Sequence, residues 1–296
     1  MPSDLRRLLR NLLPGERIGL ALLGLVVLAI LVRWPWVPGL ARAVSLHLVI
    51  VLTFLGFVAL AQRYRGRSFW RVVRPLGAVG VMFALYFTLA TVPFELFPWR
   101  ADPWLDGLDR SLFLGTSPTV WLDGRLSSLQ IEALSFAYLF FIPYLYFSVI
   151  VGLLGRPEKE RDELFAALVV LYSLSFLGYL FAPARGPVVA LEGLVAPLPG
   201  GRFLDQVVGM VARAGGPHGA LPSLHLGVTL LVCRFDLRTN TLRGLIYVPL
   251  VVGIALATVA LRYHWVVDLL VGAAMAWIAL RVAPQLVGKT VEADPG

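Results

Sequence analysis

Eight apolar stretches limit the fold of this chain more than any other feature. They are Ile18–Leu31, Val44–Ala61, Leu76–Phe97, Ile131–Leu154, Leu164–Ala182, Ser223–Phe235, Gly244–Leu261 and Trp265–Val282. The hydrocarbon core of a bilayer is about 30 Å thick and takes roughly 20 helical residues to cross. Within it every backbone N–H and C=O must be paired inside the protein, so such stretches become packed helices. The expected fold class is all-α: a polytopic integral membrane helical bundle of about eight transmembrane helices, one membrane domain over residues 1–296. The first and sixth stretches fall short of the full width. They need flanking residues or a shield of protein. Ala41-Arg42-Ala43 resembles a signal-peptide cleavage site, but the tryptophan- and proline-rich segment before it fits that reading poorly. The first stretch is therefore expected to remain as an anchor.

The chain is 58% apolar and 15% charged, with a mean hydropathy of +0.79. Soluble proteins carry roughly 45–50% and about 25%. A disordered, collagen-like or disulfide-built chain is excluded. Cys233 stands alone, so it makes neither an intramolecular bridge nor a cysteine zinc site. A net charge of +8 would suggest nucleic acid in a soluble domain. Here the charge lies between apolar stretches, so the expected partner is the bilayer and not a nucleic acid.

Basic residues also set the orientation. With the N-terminus inside, the cytoplasmic segments hold Arg6, Arg7, Arg10 and Arg17; Arg63, Arg65, Arg67, Arg71 and Arg74; Arg156, Lys159 and Arg161; Arg234, Arg238 and Arg243; and Arg281 and Lys289. These are 17 of the 26 basic residues. Both termini are then expected in the cytoplasm. Lys159 and Lys289 are the only lysines, a usage that points to a GC-rich, bacterial genome and so to a bacterial cell membrane.

Two amphipathic stretches lie outside the spans. Ser3–Leu13 has a basic face suited to an anionic inner surface. Asp102-Pro103 has the form of an N-cap followed by proline at the first helical position, and Leu105, Leu108 and Leu112 follow at helical spacing. That segment is either a short helix on the outer interface or a loop packed on the bundle.

Ionisable residues in or beside membrane spans are costly and mark function. Here they gather at the predicted outer helix ends. Arg185 follows the fifth stretch. His218 and His225 flank Gly-Ala-Leu-Pro-Ser-Leu at the start of the sixth. Arg262, His264 and Asp268 lie where the seventh turns into the eighth. His264 and Asp268 are spaced to share one helix face. A carboxylate so placed can engage one ring nitrogen and leave the other free as nucleophile or base. Ser223 and His225 open a helix after Pro222, and helix N-termini suit phosphate. Arg185 and Arg262 offer planar forks for phosphate oxygens. The set fits phosphoryl transfer through a phosphohistidine, with His264 attacking phosphorus and His225 protonating the leaving oxygen. The rival is a metal held by His225, His264 and Asp268. The adjacent arginines argue against a cation, so neither metal nor cofactor is expected. His218 is either a loop residue or a contact to the substrate or just behind it. His47 reads as a packing residue, and Arg202 and Arg213 as solvated.

Pro222-Ser223-Leu224-His225 followed by His264-x-x-x-Asp268 resembles the second and third motifs of the type-2 phosphatidic acid phosphatase superfamily. The resemblance covers roughly residues 164–283, the expected catalytic core, and leaves 1–62 as additional N-terminal helices. It implies a six-helix phosphatase-like core with His264 as nucleophile, Asp268 as its orienter, His225 as acid and base, and Ser223 as a phosphate contact. That family's motifs read Lys, six residues, Arg-Pro; Pro-Ser-Gly-His; and Ser-Arg, five residues, His, three residues, Asp. In this chain Leu224 replaces the glycine, Ala257 and Thr258 stand at Ser-Arg, and Gly178 holds the lysine position ahead of Arg185. These departures resemble the branch that includes fungal inositol phosphorylceramide synthase, whose members transfer a phospho-headgroup between lipids. Arg67, six residues, Arg74-Pro75 also nearly matches the first motif, but falls on the cytoplasmic side. The implied activity is that of a lipid-phosphate phosphatase or phosphotransferase at the extracytoplasmic face. The reading from another class is a non-enzymatic lipid-binding or transport protein. Transporters place charges near the midplane and show inverted repeats, and this sequence shows neither.

Overall fold

The structure, a computed structural model, describes residues 8–33, 39–64, 68–89, 92–191 and 197–293. Residues 3–7 of the N-terminal amphipathic stretch, and Arg67 of the near-match to the first motif, lie outside the described residues. The helices are α1 (Pro14–Val32), α2 (Leu40–Arg63), α3 (Ser68–Thr88), α4 (Val92–Leu96), α5 (Asp102–Leu112), α6 (Pro118–Leu122), α7 (Ser128–Gly155), α8 (Glu158–Phe181), α9 (Pro187–Ala190), α10 (Arg202–Arg213), α11 (Leu224–Thr239), α12 (Thr241–Ala260) and α13 (Val266–Ala293). There is no strand among the described residues. The chain is an all-α membrane bundle.

Seven helices are long and apolar enough to cross a bilayer: Pro14–Val32, Leu40–Arg63, Val73–Phe94, Ser128–Gly152, Glu158–Phe181, Thr241–Ala260 and Val266–Gly288. The predicted sixth span is α11, only 16 residues long, or about 24 Å. Protein shields it. It packs against α7, α8, α12 and α13, with Val228, Leu231, Val232 and Phe235 buried. The predicted third span, Leu76–Phe97, matches Val73–Phe94 to within a few residues at each end. The most enclosed helix is α8, with α1, α3, α11 and α13 against it. Buried residues from Leu22 in α1 to Val287 in α13 form one hydrophobic cluster.

Charges inside this cluster are paired. Arg74 of α3 grips the buried Glu16 of α1 through both Nε and Nη2, each at 2.5 Å. At the C-terminal end of α11, Asp236 accepts hydrogen bonds from Ser148 Oγ at 2.7 Å, Arg156 Nη2 at 3.2 Å and Arg243 Nη2 at 2.6 Å. Arg156 Nη1 also donates to the Phe235 carbonyl at 2.8 Å. This cluster ties α11 to α7, α12 and the α7–α8 junction.

The segment around Asp102 is a helix fastened to the bundle, and the expected N-cap is used differently. Ala101 precedes the first turn, and the buried Asp102 carboxylate reaches across to accept the N–H groups of Arg185 (3.0 Å to Oδ2) and Gly186 (2.7 Å to Oδ1). Asp109, also buried, accepts Val266 N and Val267 N at 2.9 Å each. Two orphan donors of the α13 N-terminus are thereby satisfied. Leu105 is buried, while Trp104 and Leu112 are exposed.

Candidate active site

Three segments, two of them fastened by α5, meet at one end of the bundle. Pro183–Pro187 follows α8, residues 215–223 precede α11, and Leu261–Trp265 joins α12 to α13. Backbone bonds hold them in register: Ala220 N to Ala184 O at 3.2 Å, Ser223 N to Asp268 O at 2.9 Å, and Val188 N to Arg262 O at 2.7 Å. Gly186 has φ +88°, and a Cβ there would collide with the Tyr263 carbonyl. Only glycine lets the two loops come this close.

His225 sits in the first turn of α11, where Ser223 is the N-cap and accepts Leu226 N at 3.4 Å. His264 lies two residues ahead of α13, not on it. Its Nδ1 is 2.9 Å from the Ala220 carbonyl oxygen. A carbonyl only accepts, so Nδ1 carries the proton and Nε2 presents a lone pair. That lone pair faces Nδ1 of His225 at 3.2 Å. Asp268 lies farther off. Its Oδ2 is 3.5 Å from His264 Nδ1 and accepts Trp265 N at 2.9 Å. The closest bond that fixes the His264 tautomer is therefore to Ala220. The Trp265 N–H at the entrance to α13 takes up the carboxylate, because residues at a helix start have no intrahelical acceptor. His264 is 4% exposed, and burial lowers its pKa to about 4, so the ring is neutral at ordinary pH.

Both rings open onto a cavity of about 420 Å³. Arg185 and His218 also line it, within a wall of Phe83, Tyr86, Phe87, Phe141 and Tyr179. The Arg185 guanidinium carbon lies 4.7 Å from the Phe94 ring centre. His218 donates from Nδ1 to the Gly216 carbonyl at 2.7 Å. Burial first, and then the nearby Arg185, hold its pKa below the ordinary value against that bond.

Three sequence candidates do not line the cavity. Arg262 takes a left-handed backbone, φ +67°, and its Nη2 pairs with Asp123 at 2.6 Å. Ser223 and Asp268 are fully buried and act as helix caps. The metal set considered from sequence does not converge either, since Asp268 faces the Nδ1 side of His264 and His225 the Nε2 side. No group of three or more His, Cys, Asp or Glu side chains forms a ligand cluster among the described residues.

Sequence reasoning missed Asp102 and Asp109, which hold both site loops. A signal existed: Asp109 interrupts the apolar face set by Leu105, Leu108 and Leu112. An acid on the buried face of an amphipathic helix needs a buried donor. Arg213 on the cavity wall had no such signal.

The pattern describing the PAP2 superfamily matches residues 103–282, a span running from α5 through most of α13. No curated protein and no solved structure matches the chain.

Proposed function

This chain belongs to the PAP2 superfamily, and from that premise we propose that it is a membrane-embedded lipid-phosphate phosphatase or phosphotransferase working through a phosphohistidine on His264. The observation that carries the reading is the His264 Nε2 lone pair, fixed by the Ala220 carbonyl and set 3.2 Å from His225 Nδ1 on the cavity.

The substrate phosphorus has to come between the two rings, so the His225–His264 hydrogen bond gives way on binding. Arg185 holds non-bridging oxygens through its planar fork. Nε2 attacks phosphorus and the bond to the leaving oxygen breaks. His225, carrying a proton taken up with the phosphate, delivers it to that oxygen and the alcohol departs. Water or an alcohol then passes a proton to His225, attacks phosphorus, and the N–P bond breaks. The carboxylate of Asp268, 3.5 Å from Nδ1, favours the positive charge that develops on His264. Aromatic walls of the cavity suit an acyl or prenyl chain.

Water as the acceptor makes the enzyme a phosphatase. Leu224 on the cavity wall, in the family's glycine position, supports the second reading: headgroup transfer to an alcohol, as in the inositol phosphorylceramide synthase-like branch. The basic asymmetry supports an extracytoplasmic site, because Arg156, Arg238 and Arg243 gather at the opposite end of α11. The test is phosphate release by the purified protein from several lipid phosphates, with and without acceptor alcohols. Release without an acceptor is the expected result. Transfer without release would establish the second reading. No turnover of any phosphate ester would leave a lipid-binding or transport protein.

A further inference from the structure

Apart from Arg185, none of the positions that carry cations in the family motifs supplies one to this cavity. A Cβ on Gly178 would lie 2.5 Å from Pro222 Cδ and 3.0 Å from the Leu221 carbonyl oxygen. No lysine fits there. Ala257 and Thr258 are buried in α12, and Arg262 is paired with Asp123. A phosphate in the cavity therefore needs its charge met from elsewhere. Two arginines, Arg185 and Arg213, are among the residues that line the wall, and no Asp or Glu lines it among the described residues.

Arg213 ends α10, a helix whose placement is fixed at its other end. The Glu132 carboxylate of α7 accepts Gly201 N, Phe203 N and Leu204 N at 2.9, 3.0 and 3.0 Å. Val207 is fully buried below. The helix so pinned turns Met210, Val211, Arg213 and Ala214 to the cavity. The next residues, Gly215 at φ +101° and Gly216 at φ +84°, double the chain back toward His218. Arg213 and Arg185 thus come from segments far apart in sequence to one cavity, and Arg213 is in no ion pair among the described residues.

We propose that Arg213 is the second phosphate-binding cation of the site, taking over the charge that the family pattern assigns to its motif cations. The proposal rests on the phosphoryl-transfer reading for its chemistry, though not for its test. An Arg fork on each side can bind non-bridging oxygens bidentately while the line between His264 and the leaving oxygen stays clear. Arg213 is exposed at a helix end, so its replacement leaves the core intact.

The experiment is calorimetric binding of inorganic phosphate to the detergent-solubilised full chain, beside turnover of a lipid phosphate. Arg213→Gln should weaken phosphate binding and lower kcat/KM by roughly 10- to 100-fold, the range of a lost charge-assisted contact. Arg213→Lys should recover part of both. Arg202→Gln, at the other end of the same helix and off the cavity, should change neither. Phosphate bound equally well by Arg213→Gln and wild type would overturn the proposal. So would no binding by wild type, or an equal loss in Arg202→Gln, which would point to a diffuse surface field. Arg213-dependent phosphate binding without turnover would keep the anion site and sink the enzymatic reading instead.

Discussion

The two ends of α11 treat charge in opposite ways. At the C-terminal end, Asp236 is fully buried and consumed by Ser148, Arg156 and Arg243. At the N-terminal end, His225 and His264 meet each other and a cavity, with two arginines among its lining residues and no carboxylate among those described. Paired charge fixes the register of a helix too short to anchor itself by length. Charge facing a cavity without a partner does nothing for the fold, and a site that must take up an anion can retain it. Mutations at the two ends should therefore fail differently.

The largest effect belongs to the cavity end. His264→Ala removes the only lone pair aimed between the two rings, and phosphate release should fall on the order of 10⁴- to 10⁶-fold, as when a nucleophile is deleted from a catalytic unit. The unfolding midpoint should also fall, by less than at the far end, because the buried ring bonds Ala220 and His225, but the protein that remains folded should still be inactive. Turnover surviving at a tenth of wild type would move the nucleophile elsewhere and erase the contrast.

Next comes the far end. Asp236→Ala leaves the buried Arg156 with only the more distant Glu160, at 3.8 Å, and removing one member of a buried pair costs about 3–5 kcal/mol. The transition midpoint in detergent should drop, while the folded fraction keeps its turnover number. Activity lost from a fully folded population would mean that the far cluster sets the position of His225 directly.

How far sequence carries this contrast depends on which physical constraint is at work. The bilayer demands length and apolarity, so the spans could be read without knowing what packs where. The exception, α11, is short because neighbours shield it, and shielding is a tertiary fact. His225, His264 and Arg185 could be singled out because charged groups beside spans are rare. Arg262 belonged to the same cluster in sequence, yet its left-handed backbone turns it to Asp123. Spacing cannot report the direction of a loop side chain. Asp268 stood at the right interval from His264, but interval says nothing of the Trp265 N–H, just ahead of the helix, which competes for the carboxylate. Arg213 is exposed as its sequence suggests, but its place beside the cavity depends on a pin, Glu132, far away in sequence.

The smallest effect is in pH, and it separates a buried histidine from an ordinary one. Burial lowers the His264 pKa to about 4 from an unperturbed value of about 6.5. At pH 5 the ring is then about 90% neutral, against about 3% for an unperturbed histidine, and so still nucleophilic. The acid limb of the phosphohistidine-forming burst should fall near pH 4 rather than near pH 6.5. Folding stability carries the matching sign. Below pH 6.5 the unfolded chain binds a proton at this position that the folded chain refuses. The contribution of His264 is whole above pH 6.5 and is lost as pH falls toward 4, by an amount of up to about 3 kcal/mol. Burst rates and unfolding midpoints measured from pH 4 to pH 8, in wild type and in His264→Gln for the unfolding arm, check both halves. A burst limb near pH 6.5, or a midpoint that falls as steeply in His264→Gln as in wild type, would show that the ring is solvated. The cavity end would then lose the feature that most sets it apart from the paired end.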